Sequence, residues 1–256
     1  MEKITEKETS RFSEAEIDSL WQTNKKAAED FFEKNLRPSI YKEENKEKCL
    51  KREEKFFKMV LAEIAKAAQE NPDNKVKLLF DIDETIGRAQ FSENGREVIG
   101  TLLRPSLLSL LEYIKSNLQN IEFGILSTRG VANLKQQLED PKHLAPIKNF
   151  LTESAVYSTE EVSPSFELDD VSRDTKFLKN HPLIDLEKTA TVDAKEINES
   201  TIYNLGLYSA DFQKLAIIQK ISQQEPKTAI IPVDDYIFPK YIKRGVYLKN
   251  ADFRLN

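Results

Sequence analysis

The stretch that decides the fold reads Lys75-Val76-Lys77-Leu78-Leu79-Phe80-Asp81-Ile82-Asp83-Glu84-Thr85. Its short apolar run, rich in β-branched and aromatic residues, predicts a buried strand. Side chains alternate along a strand, so Asp81 and Asp83 point the same way if the chain is still extended there. Two carboxylates on one face repel each other and are costly to bury unless a cation lies between them. Oxygen ligands suit Mg²⁺. The stretch therefore predicts a metal site at a strand tip, and the alternative is a strand that merely ends in an acidic turn.

The composition excludes several classes of protein. The chain has 256 residues, 39% hydrophobic and 32% charged, which allows one large domain or one domain with an appendage. The 7 glycines argue against a glycine-rich phosphate loop, and the net charge of −5 without a basic stripe argues against nucleic-acid binding. The single cysteine, Cys49, excludes an internal disulfide framework. His143 and His181 lack metal-ligand spacing.

The chain carries no recognisable targeting or membrane segment. Residues 1–8 have no apolar core, so they do not form a signal peptide. No apolar run approaches the roughly 18 residues that a membrane helix needs. We therefore expect a soluble, cytoplasmic protein without a membrane span, although a secretion signal of another kind would leave no trace in these patterns.

The N-terminal region, residues 1–74, is predicted to be helical. Ser13 and Glu16 form a capping box ahead of an amphipathic helix. A second helix is predicted over residues 42–69, highly charged in its first half and apolar on one face in its second half. We expect a helical hairpin packed on the sheet domain. The alternative is a module that binds a protein partner through the helices of residues 13–70.

The next part of the chain alternates between strands and helices. A polar loop is predicted from Gly87 to Gly100, followed by a helix that starts at Pro105. A strand over residues 121–126 and a helix over residues 131–138 come next. This β-α-β-α order predicts an α/β fold with a mainly parallel central sheet flanked by helices.

Residues 140–208 are the least regular part of the sequence. A third strand is predicted at residues 155–157, and two further strands at residues 189–192 and 201–205. About 60 residues is too long for an ordinary connection between a strand and a helix. A small insert or cap over residues 152–208 is therefore expected.

The alternation returns near the C-terminus. A helix is predicted over residues 210–223, with Lys214 near its N-terminal end, where a cation opposes the helix dipole. A reason outside the helix is therefore expected for Lys214. Strands are predicted at residues 228–233 and 245–248, and Pro232 is awkward in the first of them because it lacks an amide proton.

Polar residues stand at the tips of successive predicted strands, in a fixed order. They are Asp81 and Asp83 after the first strand, Ser127 after the second, Lys214 on the later helix, and Asp234 and Asp235 after the last long strand. This constellation resembles the haloacid dehalogenase (HAD) superfamily, whose motifs are DxDx[TV], a Ser or Thr, a Lys and an acidic pair. Thr128 competes with Ser127 for the second motif, and Lys220 competes with Lys214 for the third.

The resemblance covers about residues 75–250 and implies a Rossmann-like HAD domain over residues 75–256. The form DxDET and the later Leu103-Arg104-Pro105 are similar to the protein-phosphatase branch of the superfamily. Some bacterial acid phosphatases also carry DxDET, so both subgroups stay open.

The resemblance also implies catalytic roles. Asp81 would be the nucleophile that forms an aspartyl-phosphate. Asp83 would protonate the leaving oxygen and then activate water. Ser127 would hydrogen-bond a phosphoryl oxygen, and Lys214 would neutralise charge on the transferring group. The carboxylate at Asp83 favours phosphomonoester hydrolysis over carbon–halogen cleavage.

A Mg²⁺ ion is the implied cofactor. The resemblance gives it the Asp81 carboxylate, the Asp83 backbone carbonyl and Asp234 as ligands, with Asp235 in support. Many members place a further Asp or Asn about four residues after the acidic pair, whereas residues 236–240 here read Tyr-Ile-Phe-Pro-Lys. The surroundings of the metal therefore depart from the family pattern.

The expected substrate is a phosphorylated molecule, and its class is open. It is a phosphoprotein, including phosphotyrosine, or a small phosphorylated metabolite. The loop over residues 86–104 and the insert over residues 152–208 would choose between them. Because the insertion after the first strand is short, an open site that admits a protein surface is slightly favoured. A binding or scaffold protein that uses residues 13–70 is the alternative of another class.

Overall fold

The structure is a computed structural model that describes residues 12–36, 43–71, 73–92, 98–159, 209–235, 244–248 and 251–253. Its helices are α1 (Glu14–Asn35), α2 (Glu43–Glu70), α3 (Leu107–Asn117), α4 (Val131–Glu139), α5 (Ala145–Lys148) and α6 (Ser209–Gln224). Its strands are β1 (Val76–Phe80), β2 (Gly87–Phe91), β3 (Val98–Leu103), β4 (Ile121–Ser127), β5 (Leu151–Ser158), β6 (Ala229–Asp234) and β7 (Val246–Tyr247).

The main sheet has the strand order β5-β4-β1-β6-β7, and each neighbouring pair in it is parallel. β1 is central, with Phe80 opposite Ile125 of β4 and Val233 of β6. Helices pack on this sheet, so the prediction of an α/β protein with a mainly parallel sheet flanked by helices is confirmed. The arrangement is consistent with a Rossmann-like fold.

The two faces of the sheet are covered by different helices. Val76, Leu78 and Phe80 belong to a buried cluster that also takes in apolar residues of α1, α2 and α3. Leu79 is fully buried but lies outside that cluster, as the alternation of side chains along a strand requires. α6 packs against β6 and supplies a second group of buried apolar residues. Because both faces of β1 are covered, its sequence is almost continuously apolar.

The N-terminal helices share the main core. The capping box is confirmed, because Ser13 Oγ accepts from the Glu16 N–H (3.2 Å) while the Ser13 N–H donates to Glu16 Oε2 (2.6 Å). Trp21 of α1 and Phe57 of α2 are buried with ring centroids 5.9 Å apart. α2 also packs against β1, β6, β7 and α3. The expected packed hairpin is therefore present.

The polar loop predicted from Gly87 to Gly100 is wrong, because residues 87–91 form β2 and residues 98–100 begin β3, and these two strands pair antiparallel. The sequence signal was missing for a physical reason. Phe91, Val98 and Ile99 are more than 40% exposed, and the buried positions of β3, Gly100 and Thr101, are consecutive, so burial does not alternate with a period of two.

Pro232 lies in β6 without loss of a bond to β1. Two residues away, the Asp234 carbonyl accepts from the Leu248 N–H (2.9 Å), on the β7 side of the strand. Positions alternate, so the nitrogen of Pro232 also faces that side, where the pairing of β7 begins only at Val233. The proline therefore occupies a position where β1 needs no amide proton.

β5 takes up the first residues of the range predicted as an insert. It runs from Leu151 to Ser158 and contains the predicted strand at residues 155–157. Residues 160–208, with the predicted strands at 189–192 and 201–205, lie outside the described residues. None of the helices in the described ranges combines the length and the apolarity needed to cross a membrane.

Candidate metal centre

Three neighbouring parallel strands end at one edge of the sheet, and each brings a predicted site residue there. Asp81 directly follows β1, Ser127 ends β4 and Asp234 ends β6. The Asp81 N–H donates to the carbonyl of Val233 (2.9 Å), which ties the first tip to the third. The carboxyl ends of parallel strands are where open α/β sheets bind ligands.

Asp81, Asp234 and Asp235 form a cluster of carboxylates. One oxygen of each lies within 4.8 Å of the others. Asp81 and Asp234 are buried, and Asp235 is half-buried. Carboxylates this close repel one another, and burial strengthens the repulsion. All three are among the residues that the sequence analysis named as metal ligands, and their binding of a metal stays a prediction.

Lys214 joins the cluster from α6. Its Nζ lies 3.0 Å from Asp81 Oδ1 and 2.7 Å from Asp234 Oδ2. Lys220, the competing lysine, is exposed to solvent. A cation near the start of a helix opposes the helix dipole, and the contacts of Lys214 with two buried carboxylates explain why it lies there.

The electrostatics of the cluster shift the pKa values of its members. Burial raises the pKa of Asp81 to about 7; Lys214 opposes this rise and Asp234 adds to it. Burial, together with the nearby Asp234, raises the pKa of Asp235 to about 6. Burial alone would lower the pKa of Lys214, but the carboxylates of Asp81 and Asp234 outweigh it and raise that pKa.

The turn after β1 holds Asp235 in place. The Thr85 Oγ1 accepts from the Asp235 N–H (3.1 Å) and lies 3.4 Å from Asp235 Oδ1. Glu84 has a φ of 56°, a left-handed conformation that is uncommon outside glycine. Its carbonyl accepts from the Phe253 N–H (2.6 Å), so the C-terminal residues brace this turn.

Asp83 is not part of the carboxylate cluster. Its side chain is 49% exposed and forms a two-bond ion pair with Arg129, at 3.0 Å from Nε to Oδ2 and 2.5 Å from Nη2 to Oδ1. Arg129 also donates to Gln137, and its carbonyl accepts from Ser158 Oγ (2.7 Å). The implied metal ligand at Asp83 is its backbone carbonyl, and that role stays a prediction.

Arg129 was missed in the choice of site residues. The signal available was a charged residue two positions after Ser127, at the tip of the neighbouring strand. Ser127 is fully buried, and its Oγ accepts from the Arg129 N–H (3.2 Å), whereas Thr128 is exposed. Which of the two hydroxyls contacts a phosphoryl group stays a prediction.

The residues of the cluster fit a divalent cation. Three carboxylates and one ammonium leave two negative charges when all four are ionised, and every candidate ligand atom is an oxygen. Oxygen ligands of this charge suit Mg²⁺ or Ca²⁺ better than soft metals.

No protein-family model, curated protein or solved structure matches the chain. Any assignment of function must therefore be built on the site itself.

Proposed function

We propose that this chain is a Mg²⁺-dependent phosphomonoester hydrolase of the HAD type that forms an aspartyl-phosphate intermediate. The observation that carries the proposal is the cluster of Asp81, Asp234 and Asp235 with Lys214, at the carboxyl edge of a parallel sheet. Phosphoryl transfer depends on positioning and on the neutralisation of negative charge. A carboxylate nucleophile beside an ammonium and a cation site meets both requirements.

In the first step, an Asp81 carboxylate oxygen attacks phosphorus, and the bond from phosphorus to the leaving oxygen breaks. Asp83 gives its proton to that oxygen. Asp83 is paired with Arg129 in the structure, so this step requires that the ion pair opens when the substrate enters. Mg²⁺ held by Asp81, Asp234 and Asp235 would offset the repulsion between the nucleophile and the phosphate.

In the second step, the Asp83 carboxylate takes a proton from water, and the water oxygen attacks phosphorus. The bond from phosphorus to Asp81 breaks, which releases inorganic phosphate and restores the enzyme. Lys214 contacts the nucleophile throughout, so it stabilises the negative charge of that oxygen. The hydroxyl of Ser127 or Thr128 donates to a phosphoryl oxygen.

A phosphoprotein, including phosphotyrosine, is the substrate class that we favour, and a small phosphorylated metabolite is the alternative. The hairpin of β2 and β3 starts only four residues after Asp83 and carries exposed apolar side chains at Phe91, Val98 and Ile99. These side chains lie at the far end of the hairpin, and exposed apolar side chains on a hairpin that begins at a site suit contact with a protein surface. Faster turnover of a sugar phosphate than of phosphotyrosine peptides would favour the metabolite.

The first experiment measures p-nitrophenyl phosphate hydrolysis with Mg²⁺, with EDTA and in the variant Asp81→Asn. We expect turnover that requires Mg²⁺ and is lost in Asp81→Asn, while the control Asp73→Asn, at an exposed carboxylate, keeps it. Folded wild-type protein that binds Mg²⁺ but hydrolyses no phosphomonoester would contradict the proposal.

A leaving-group series tests the role of Asp83. Nitrophenolate leaves easily without a proton, whereas the tyrosine phenol, with a pKa of about 10, needs one. We expect Asp83→Asn to slow phosphotyrosine hydrolysis more than p-nitrophenyl phosphate hydrolysis. Equal slowing of both substrates would show that Asp83 does not act as the acid.

The role of the N-terminal helices as a partner-binding module stays a prediction. Their apolar residues, such as Trp21, Phe32 and Phe56, are already buried in the main core. Deletion of residues 1–70 is therefore expected to give insoluble protein. A soluble, fully active deletion variant that loses a partner would favour the scaffold function instead.

A further inference from the structure

A buried ion pair links α2 to the loop that precedes α3. Arg104 Nη1 lies 2.9 Å from Glu53 Oε2, and neither side chain is exposed to solvent. The other Glu53 oxygen accepts from the Ser106 N–H (3.2 Å) and from the Ser106 hydroxyl (2.5 Å). The guanidinium carbon of Arg104 lies 4.0 Å from the ring centroid of Phe56. Both oxygens of the Glu53 carboxylate therefore accept hydrogen bonds from the loop that precedes α3.

Arg104 directs two further donors to the backbone around the metal centre. Its Nε donates to the carbonyl of Thr85, and its Nη2 donates to the carbonyl of Ala251. Arg104 also donates its own N–H to the carbonyl of Ile86 (3.0 Å). One side chain therefore holds the turn after β1 and the C-terminal residues together.

Thr85 carries this contact to the carboxylate cluster. Its carbonyl is held by Arg104, and its hydroxyl accepts from the backbone N–H of Asp235 at 3.1 Å. The same hydroxyl lies 3.4 Å from Asp235 Oδ1. Thr85 is fully buried, so water does not substitute for either contact. The contacts run without a break from Glu53 through Arg104 and Thr85 to Asp235.

We propose that Glu53 is a positioning residue for the metal centre, acting through Arg104 and Thr85 on Asp235. The inference rests on the proposed function, because it gives α2 a role in that same site. Groups that orient a metal ligand typically change metal affinity by 10- to 100-fold when they are removed. Glu53 lies on α2, and its influence on Asp235 requires that Arg104 be held in one orientation.

Packing alone does not explain an ion pair at this position. A buried pair of charges is often no more stabilising than apolar residues of the same size, and α2 already packs through Phe56 and Phe57. What apolar residues could not provide is a set of fixed donors for the carbonyls of Thr85 and Ala251. The pair is therefore placed where it orders the backbone beside the cluster.

The test measures Mg²⁺ binding by calorimetry in Glu53→Gln, in Thr85→Val, which removes the hydroxyl and keeps the shape, and in the double variant. Each single change should weaken Mg²⁺ binding by about 10- to 100-fold. Because the two residues act in series, the Mg²⁺ affinity of the double variant should equal that of whichever single variant binds Mg²⁺ less tightly. Thr85→Ser, which keeps the hydroxyl, should bind Mg²⁺ with an affinity within about threefold of the wild-type value.

Glu54→Gln is the matched control, because Glu54 is the next residue of α2 and forms an ion pair with Lys58 of the same helix (2.7 Å). It should leave Mg²⁺ binding unchanged. Circular dichroism and urea unfolding show whether each variant is folded. If Glu53→Gln does not fold, Arg104→Lys takes its place in the cycle, because lysine keeps the charge but loses the fork of donors.

Two results would overturn the inference while leaving the proposed function intact. One is wild-type Mg²⁺ affinity in folded Glu53→Gln. The other is a double variant whose loss equals the product of the single losses, which would show that the residues act independently. Wild-type protein that binds no Mg²⁺ would overturn the proposed function first, and this inference with it.

Discussion

Replacing the proposed nucleophile should make the metal-free protein more stable at alkaline pH. The pKa of Asp81 is about 7 against an ordinary value of 3.8. Between these two values the folded chain holds a proton that the unfolded chain has released, so the free energy of unfolding falls as the pH rises. A shift of about three units corresponds to about 4 kcal/mol, at 1.36 kcal/mol per unit. This loss in the free energy of unfolding is absent near pH 4 and complete above pH 7.

Asp81→Asn removes the buried charge and keeps the shape of the side chain. The pKa of about 7 already includes the attraction of Lys214 for the carboxylate, and an amide reproduces the hydrogen bonds of the protonated acid only in part. We therefore expect Asp81→Asn to raise the free energy of unfolding by about 2–4 kcal/mol at pH 8 in EDTA, and by close to nothing at pH 4.

Urea unfolding in EDTA between pH 4 and pH 8 measures this difference. Asp73→Asn, which changes an exposed carboxylate, should show little difference from the wild-type protein at any pH. An Asp81→Asn variant that is less stable than the wild-type protein at pH 8 would refute the reasoning. It would show that attraction to Lys214 outweighs the cost of burying the carboxylate.

Two further predictions concern the carboxylate cluster, and a third concerns the packing of β4 against β5. Lys214→Met leaves the buried carboxylates without their cation, so the free energy of unfolding in EDTA at pH 8 should fall by about 3–5 kcal/mol, and saturating Mg²⁺ should recover part of the loss in urea unfolding. Mg²⁺ must displace protons from Asp81 and Asp235, because their pKa values are about 7 and about 6. Calorimetry should therefore show tighter Mg²⁺ binding as the pH rises from 5 to 8, and release of protons on binding near pH 6.5. Gly124→Ala would push its Cβ into the carbonyl of Ala155, so thermal unfolding should report a loss of about 1–3 kcal/mol.

Each of these predictions has an outcome that contradicts it. Lys214→Arg, which keeps the charge, should lose less stability than Lys214→Met, and equal losses would show that the effect is one of packing. Binding heats that do not depend on the ionisation enthalpy of the buffer would exclude proton release. Unchanged stability in Gly124→Ala would show that β4 and β5 can move apart.

The strands and their tips could be predicted because their signals are local. The run from Val76 to Phe80 is buried on both faces, so it reads as one apolar strand. Parallel order followed from the alternation of strands and helices, and it placed Asp81 and Asp234 at one edge. The hairpin of β2 and β3 gave no such signal, because its large apolar side chains at Phe91, Val98 and Ile99 are exposed.

The ion pairs of Asp83 and of Glu53 could not be predicted, because their partners are far apart in the sequence. Arg129 meets Asp83 across 46 residues, and Arg104 meets Glu53 across 51 residues. A charged residue on a helix such as α2 looks the same in the sequence whether it faces water or another charge. Glu53 stands among many charged neighbours, and nothing local distinguishes it.

The sequence by itself determined the α/β class, the strands of the main parallel sheet and the acidic residues at their tips, since hydrophobic periodicity and residue chemistry are local properties. Only the tertiary structure decided that Asp235 joins the cluster on the support of Thr85, that Asp83 pairs with Arg129, and that α2 reaches the site. The physical reason is that charge pairs form through space. Which pairs meet depends on how the helices pack on the sheet, and the sequence does not state that packing residue by residue.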